Sequence, residues 1–414
     1  MNWDPRTVVV TGAGAVSPCG VGRCALWEGA AQGRSGIDWI ESFDVSGWPV
    51  RIAGEVRGCT AEQWLTRPVG LRRDRSLQFG LVAAHEALQQ AGLLDADDRV
   101  PSRFSVGMIA GSGLGPCFEA EYAYGCFFNR GREAVRPMTV PKSMHNALSS
   151  QLSIYFGLRG ASQTVAAACA SGALAIAQAW TLIRSGLQEI VLCGGADSPL
   201  TPGMFAAWTN MKVLAHHEEP ARACRPFDRR RRGLVLAEGA GMVVLESWES
   251  AQRRGVPVLA RLSACGYSSD AHDLTAPTPE GPQRAMKHCL QIAGKSPGEV
   301  DYINAHGTAT PANDVAEATA IANVFGHRES GLPISSTKSV LGHALGASGA
   351  LEFILCAEAL QHQFVPPTRN CDEPDPETGL DFVPNVGRPH SLRCVLTNSF
   401  AFGGSNCCLL LERV

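Results

Sequence analysis

Apolar residues in this chain fall into short β-branched runs separated by stretches with helical spacing, and the two alternate from end to end. Residues 7–11 read Thr-Val-Val-Val-Thr, a run suited to a buried strand, and Gly12-Ala13-Gly14 behind it predicts a tight turn. Residues 79–92 carry amphipathic spacing and close on Gly92, a C-cap signal. Residues 106–113 form an apolar run ending in glycines, and 171–183 form a small-residue helix that is apolar nearly all round and therefore buried. Core strands are expected at 189–195 and 241–246. The second half repeats the grammar: a strand at 300–304, a long apolar helix at 345–361 and a strand at 393–398 that runs into Phe400-Ala401-Phe402-Gly403-Gly404.

This alternation predicts an α/β fold with mainly parallel sheets buried between helices. A length of 414 residues exceeds one ordinary core and suggests two closely packed halves. The expected boundary lies near Arg254-Gly255-Val256-Pro257, giving halves 1–254 and 255–414. Similarity between the halves is too weak in sequence to establish a duplication. Gly12-Ala13-Gly14 does not begin a dinucleotide fingerprint, because Ala15-Val16-Ser17-Pro18 follows where a third glycine should open a helix.

Composition narrows the function classes. A formal net charge of −3 gives no reason to expect nucleic acid. Fifteen cysteines are present, but no C-x-x-C pair occurs, so neither a zinc site nor a dithiol redox motif is indicated and no metal or cofactor is expected. Most of these cysteines read as small buried apolar residues in a reducing cytoplasm. No signal peptide and no membrane span are read, which points to a soluble cytoplasmic protein.

One cysteine stands apart. Cys169 sits in Ala168-Cys169-Ala170-Ser171-Gly172, where a strand meets a small-residue helix, and helix N-terminal dipoles can lower a thiol pKa there. His306 lies in Asn304-Ala305-His306-Gly307-Thr308-Ala309-Thr310, and His343 follows Lys338-Ser339-Val340-Leu341-Gly342. Singly, each has a structural explanation; a thiol at a helix start joined by two glycine-flanked histidines suggests acyl-thioester chemistry. These motifs, with Ser335-Ser336-Thr337-Lys338-Ser339 and the C-terminal 398–406 segment, resemble in order those of the condensing branch of the thiolase superfamily. The resemblance is to β-ketoacyl-acyl-carrier-protein synthase II and the type II polyketide ketosynthases, and it covers the whole chain.

The resemblance implies a thiolase fold, two similar α/β halves forming a five-layered αβαβα core, usually dimeric. It implies that Cys169 takes the acyl chain from a carrier-protein thioester. His306 and His343 would stabilise the charge formed when malonyl-carrier protein loses carbon dioxide. The backbone N–H groups of Cys169 and Phe402 would form the oxyanion hole, with Phe402 also gating the acyl pocket. Lys338 and Glu352 would support the site, with Lys338 an electrostatic organiser rather than a nucleophile. Thr308 and Thr310 would bind the phosphopantetheine arm, and Leu114, Met138, Thr139 and Leu234 the substrates. Asp314 and Glu317 read as structural. The implied partner is an acidic acyl carrier protein docking on Arg72, Arg73 and Lys212; the run Arg229-Arg230-Arg231-Arg232 reads as a solvated loop. A homodimer, or a heterodimer with a chain-length-factor-like subunit, is expected.

Three departures set this chain apart from fatty-acid enzymes. Leu234 follows Gly233 where they carry phenylalanine, Asp273 stands where close relatives carry histidine, and Pro137-Met138-Thr139-Val140-Pro141 replaces an aromatic pair at the tunnel lid. They favour a specialised polyketide- or polyene-like pathway over housekeeping fatty-acid elongation. A non-catalytic chain-length partner would lack the cysteine. A thiolase would need a second catalytic cysteine, whereas Cys407 and Cys408 continue a core strand, and a Cys–His hydrolase leaves His343 and Phe402 without a task.

Overall fold

The β-branched runs become strands of one sheet. The computed structural model describes residues 3–69, 74–326, 331–375 and 379–414. The first half supplies β1 (Val8–Ser17), β2 (Val106–Gly111), β3 (Ser162–Val165), β4 (Ile190–Asp197) and β5 (Gly239–Ser247), with the two-residue strand Gly20–Val21 paired to the end of β1. The second supplies β6 (Ala260–Ser269), β7 (Tyr302–Asn304), β8 (Ile334–Ser335), β9 (Cys394–Phe400) and β10 (Ser405–Glu412). Six helices cover them: α1 (Arg75–Gln90), α2 (Ala147–Phe156), α3 (Ser171–Arg184), α4 (Glu280–Ala293), α5 (Pro311–Phe325) and α6 (Ser348–His362).

Strand order is β8-β7-β9-β10-β6-β1-β5-β4-β2-β3. The first half is therefore 3-2-4-5-1, the second is 8-7-9-10-6, and adding five to each number of one half gives the other. The halves join where β1 pairs antiparallel with β6, Val8 opposite Leu262 and Val10 opposite Ala260. The sheets are mixed rather than mainly parallel. β4, β2 and β3 run parallel, but β5 is antiparallel to both β1 and β4, and β10 is likewise antiparallel to β9 and β6. Strands buried on both faces read as continuous apolar runs whichever way they point, so sequence could not separate the two cases.

Burial sorts the helices into layers. α1 and α2 pack on the outer face of the first half through Leu81, Leu88, Leu152 and Phe156 against Met108, Leu192 and Val244. α4 and α5 do the same on the second half, with Met286, Leu290 and Ile321 against Ile303, Leu396 and Leu410. Between the halves lie α3 and α6, whose Ile176, Ile183, Phe353 and Leu355 meet inward-facing residues of both, such as Val243 and Leu409. The result is the five-layered αβαβα arrangement of the thiolase fold. Neighbouring Cys407 and Cys408 illustrate it: one faces the central layer, the other the outer core.

The duplication also leaves a short trace in the sequence. Ala170-Ser171-Gly172-Ala173-Leu174 opens α3 and Ala347-Ser348-Gly349-Ala350-Leu351 opens α6. Each is preceded by a residue with positive φ, Ala168 at 45° and Leu345 at 46°. The two helix starts cross so closely that a Cβ on Gly172 would lie 2.5 Å from the Gly346 carbonyl oxygen. Gly12 and Gly14 likewise mark close approach and not the expected turn. β1 continues through them to Ser17, and a Cβ on either would sit 2.1 Å from a carbonyl oxygen of α1.

Candidate active site

Cys169 is presented by a strained turn between β3 and α3. Ala168 adopts φ 45°, a conformation that costs a non-glycine residue roughly 1–3 kcal/mol. Ser171 clamps it, its Oγ accepting from the Ala167 N–H at 2.9 Å and donating to the Ala168 carbonyl at 2.7 Å. The turn aims the backbone N–H of Cys169 at its own sulfur, and the Phe402 N–H points there too. Asp197, fully buried at the end of β4, braces the surroundings. It accepts from Ser112 Oγ at 2.6 Å and from the backbone N–H groups of Gly113 and Gly346, both at 2.7 Å.

His343 arrives from the short helix Lys338–Leu341 through Gly342 at φ 75°, its N–H bonded to the Val235 carbonyl at 2.7 Å. Its Nε2 lies 3.1 Å from Cys169 Sγ and its Nδ1 lies 3.0 Å from Ser348 Oγ. His306 follows β7, with ring centroid 5.4 Å from that of His343 and the planes nearly perpendicular. Glu317 on α5 holds the backbone here, accepting from the N–H of His306 at 2.8 Å and of Gly307 at 2.7 Å. Behind the histidines Lys338 Nζ meets Glu352 Oε1 at 2.5 Å, both side chains 1% exposed.

Burial dominates the electrostatics of the site. Burial pushes the Cys169 thiol up to about 12, outweighing the opposing pull of the Lys338 charge. Burial thus opposes the pull of the helix terminus on this thiol, and the nearest side-chain base is His343. Burial, reinforced by Lys338, holds both histidines well below the ordinary imidazole range. Burial also raises the carboxyls of Glu317 and Glu352 to about 7.

Glu317 was read as merely structural, and its position beneath His306 yields a stability prediction. Its carboxyl binds its proton more tightly folded than unfolded, where the value is about 4.3. Its stabilising contribution is thus complete below that pH and is lost as pH rises through about 7. Glu317→Gln, which turns an NH2 toward backbone donors, is expected to cost about 2 kcal/mol at pH 5. The melting-temperature gap to wild type should narrow between pH 5 and pH 8; a gap that widens would contradict the assignment.

A cavity of about 300 Å3 brings together Cys169, His306, His343, Thr308, Thr310, Leu234, Phe402 and Lys212. Thr308 and Thr310 hydroxyls lie 2.9 Å apart on its wall, and Phe402 stacks on Trp208 at 6.0 Å. Asp273 lines the same cavity but spends its carboxylate on the N–H groups of Thr275 and Ala276. Leu114 packs in the apolar cluster behind Cys169 without lining the cavity. Met138 and Thr139 lie away from it, Met138 being 58% exposed at the start of the short helix Thr139–Ser143. Arg72 and Arg73 fall outside the described residues. The arginine run is only partly solvated: Arg230 pairs with Asp372, and Arg231, with an 8% exposed side chain, approaches Asp314 and Asp375. Asp197 and Ser348 had been passed over because a lone acid or serine carries no periodic or motif signal; the repeated Ala-Ser-Gly-Ala-Leu could have flagged Ser348.

Comparison with known proteins agrees with this geometry. The family model for the beta-ketoacyl synthase N-terminal domain matches residues 5–251, and that for the C-terminal domain matches 259–372. Nodulation protein E of Rhizobium sp. (strain N33) is 43% identical over 410 residues, covering 99% of this chain and 100% of that protein. The 3-oxoacyl-acyl-carrier-protein synthase 2 of Staphylococcus aureus (strain N315) is 38% identical, covering 99% and 98%. Among solved structures, the ishigamide ketosynthase/chain length factor superposes with a TM-score of 0.92 at 35% identity over 99% of both chains. A type II polyketide ketosynthase in complex with its acyl-carrier protein, bound to the hexaketide, gives 0.88 at 30% identity, covering 99% of this chain and 100% of that one. With both halves matched in order and relatives covered nearly end to end, the chain belongs to the beta-ketoacyl synthase family and is a condensing acyltransferase of the 3-oxoacyl-acyl-carrier-protein synthase type.

Proposed function

We propose that this enzyme joins a Cys169-bound acyl chain to a malonyl unit delivered on acyl carrier protein. The observation that carries the residue roles is the 3.1 Å contact between Cys169 Sγ and His343 Nε2, with two backbone N–H groups aimed at the sulfur. In the first half-reaction Sγ attacks the thioester carbonyl while His343 Nε2 takes the thiol proton. The N–H groups of Cys169 and Phe402 hold the oxyanion. The carrier thiolate leaves and recovers that proton from His343. In the second, Thr308 and Thr310 seat the malonyl-bearing arm, and His306 and His343 donate Nε2–H to its thioester oxygen. Carbon dioxide departs, the enolate carbon attacks the acyl-Cys169 carbonyl, and the Cys169 thiolate is expelled and takes one proton from solvent, the proton that decarboxylative condensation consumes. Neutral histidines suit this task, since the donor must not compete with the enolate for charge.

The carrier protein docks beside Lys212 at the cavity mouth. A partner subunit, a second copy or a chain-length-factor-like chain, covers the face bearing Tyr124, Phe128, Met138, Val140 and Ile154, all more than half exposed. The free edge of β3 lies in the same stretch of chain and offers unpaired backbone groups. Met138 and Thr139 would then shape the far end of the acyl pocket from that interface. The two halves divide at residues 254 and 255, in the link between Trp248–Arg254 and β6. All fifteen cysteines are free thiols, which supports a cytoplasmic location, and no described helix is long and apolar enough to cross a membrane.

Leu234 beside the reactive cysteine, the non-aromatic 137–141 segment and similarity to a nodulation protein and a polyketide ketosynthase support a specialised pathway over housekeeping elongation. The test supplies purified enzyme with malonyl-carrier protein and carriers bearing saturated, β-keto or conjugated acyl chains of equal length, with products read by intact mass. Faster elongation of β-keto or conjugated chains is expected. Equal or better use of saturated chains overturns the specialised reading, and no elongated product with any chain, alone or with a partner subunit, overturns the mechanism.

A further inference from the structure

The two catalytic histidines are held in different ways. His306 is positioned through its backbone by Glu317, and its Nδ1, buried, has no hydrogen-bond partner among the described residues. His343 instead has both ring nitrogens engaged, Nε2 with Cys169 and Nδ1 with Ser348 Oγ. Ser348 is 4% exposed and opens α6. Its counterpart in the other half, Ser171, turns its hydroxyl back on its own loop, to Ala167 and Ala168. The same residue in the same repeated pentapeptide thus clamps a backbone in one half and a histidine ring in the other.

Building on the roles proposed for Cys169 and His343, we infer that Ser348 is a positioning residue for both half-reactions. Its hydroxyl holds the His343 ring with Nε2 toward Cys169. A ring turned by 180° would present carbon to the sulfur, and packing alone separates the two orientations weakly, since the imidazole is nearly symmetric in shape. A hydroxyl is both donor and acceptor. It therefore accepts from Nδ1–H while Nε2 receives the thiol proton, and donates to bare Nδ1 when Nε2–H faces the enolate oxygen. Ring tautomers exchange through solvent while one carrier leaves and the next docks, and no net proton is gained or lost. A main-chain N–H could support only the second state, and a carbonyl only the first.

The test uses full-length Ser348→Ala and Ser348→Thr enzymes. Acyl transfer to Cys169 and carbon dioxide release from malonyl-carrier protein are followed separately, with melting temperatures recorded. Ser348→Ala is expected to lower kcat roughly tenfold in each half-reaction with KM little changed, by analogy with the loss of an orienting partner at a histidine. Alkylation of Cys169 by iodoacetamide should slow in parallel, and Ser348→Thr should restore all three. Wild-type rates in Ser348→Ala overturn the inference. So does a Ser348→Thr enzyme that melts like wild type yet is as slow as the alanine variant, because volume rather than the hydroxyl would then matter. His343→Ala is the separate control: if it retains both half-reactions, the assignment of His343 fails, and the inference with it; if only the serine variants are silent, the assignment stands without it.

Discussion

Cys169→Ala enzyme incubated with acyl-carrier protein is expected to show no acyl adduct by intact mass, and condensation should fall by at least about 10^3-fold, the scale of losing a covalent nucleophile. The cavity holds no replacement, because Cys169 is the one cysteine on its wall among the described residues. Cys193, Cys265, Cys289, Cys407 and Cys408 are fully buried in the cores, where burial raises every one of these thiols. Folding should survive, since alanine keeps the Cβ and leaves the Ala168 turn and its Ser171 clamp intact. Malonyl decarboxylation should survive in part, because it is assigned to His306 and His343 and needs no thiol. An adduct that persists in Cys169→Ala would move the chemistry to another residue, and exposed Cys24 would be the first to digest and map.

The way Cys169 is displayed shows how far sequence reaches. A β-branched or small-residue strand running into Ala-Cys-Ala-Ser-Gly was legible, and so was the helix behind it, because both rest on local periodicity. Placing two histidines some 140 and 170 positions later on the same cavity was legible only as a pattern of motifs resembling a family. Glycines were harder. Gly12 and Gly14 look the same on paper whether they make a turn or let α1 lie on β1, and the carbonyl oxygens that settle the matter come from residues over 60 positions away. Strand direction was invisible for a related reason, since burial on both faces erases the alternation that reports it.

Groups that act through others left the faintest trace. Asp197 joins the 112–114 turn to Gly346, a contact that exists only once the halves are folded against each other, and Ser348 reaches a histidine ring five residues back through a turn whose shape no periodicity reports. The pull of a helix terminus on the thiol is local and visible in sequence, whereas its desolvation is not. Burial dominates here and transfers the burden of activation to His343. Met138 and Thr139, expected on the substrate path, sit on an exposed apolar face, so any share they have in the pocket depends on what covers that face.

Lys338→Met is expected to be the most damaging change outside the reacting groups, losing about 3–5 kcal/mol of stability at pH 8, the range for breaking a buried pair. It leaves Glu352 buried without its cation, so that its carboxyl, already raised to about 7 by burial, climbs further. A carboxyl raised when folded contributes stability below its unfolded value of about 4.3 and loses it as pH rises through the folded value. The melting-temperature deficit should therefore be larger at pH 8 than at pH 6. Activity should move the opposite way with pH. Lys338 helps burial keep His306 and His343 unprotonated; without it, His343 is protonated more readily and cannot take the Cys169 proton, so the acid limb of the pH–rate profile shifts upward. Lys338→Met combined with Glu352→Leu separates the two effects. Removing both charges should restore most of the stability, because an apolar pair fills the space without a desolvated ion, but the shifted acid limb should remain. A double variant that regains the wild-type profile would show that the lysine serves only to neutralise Glu352 and does not tune the histidines.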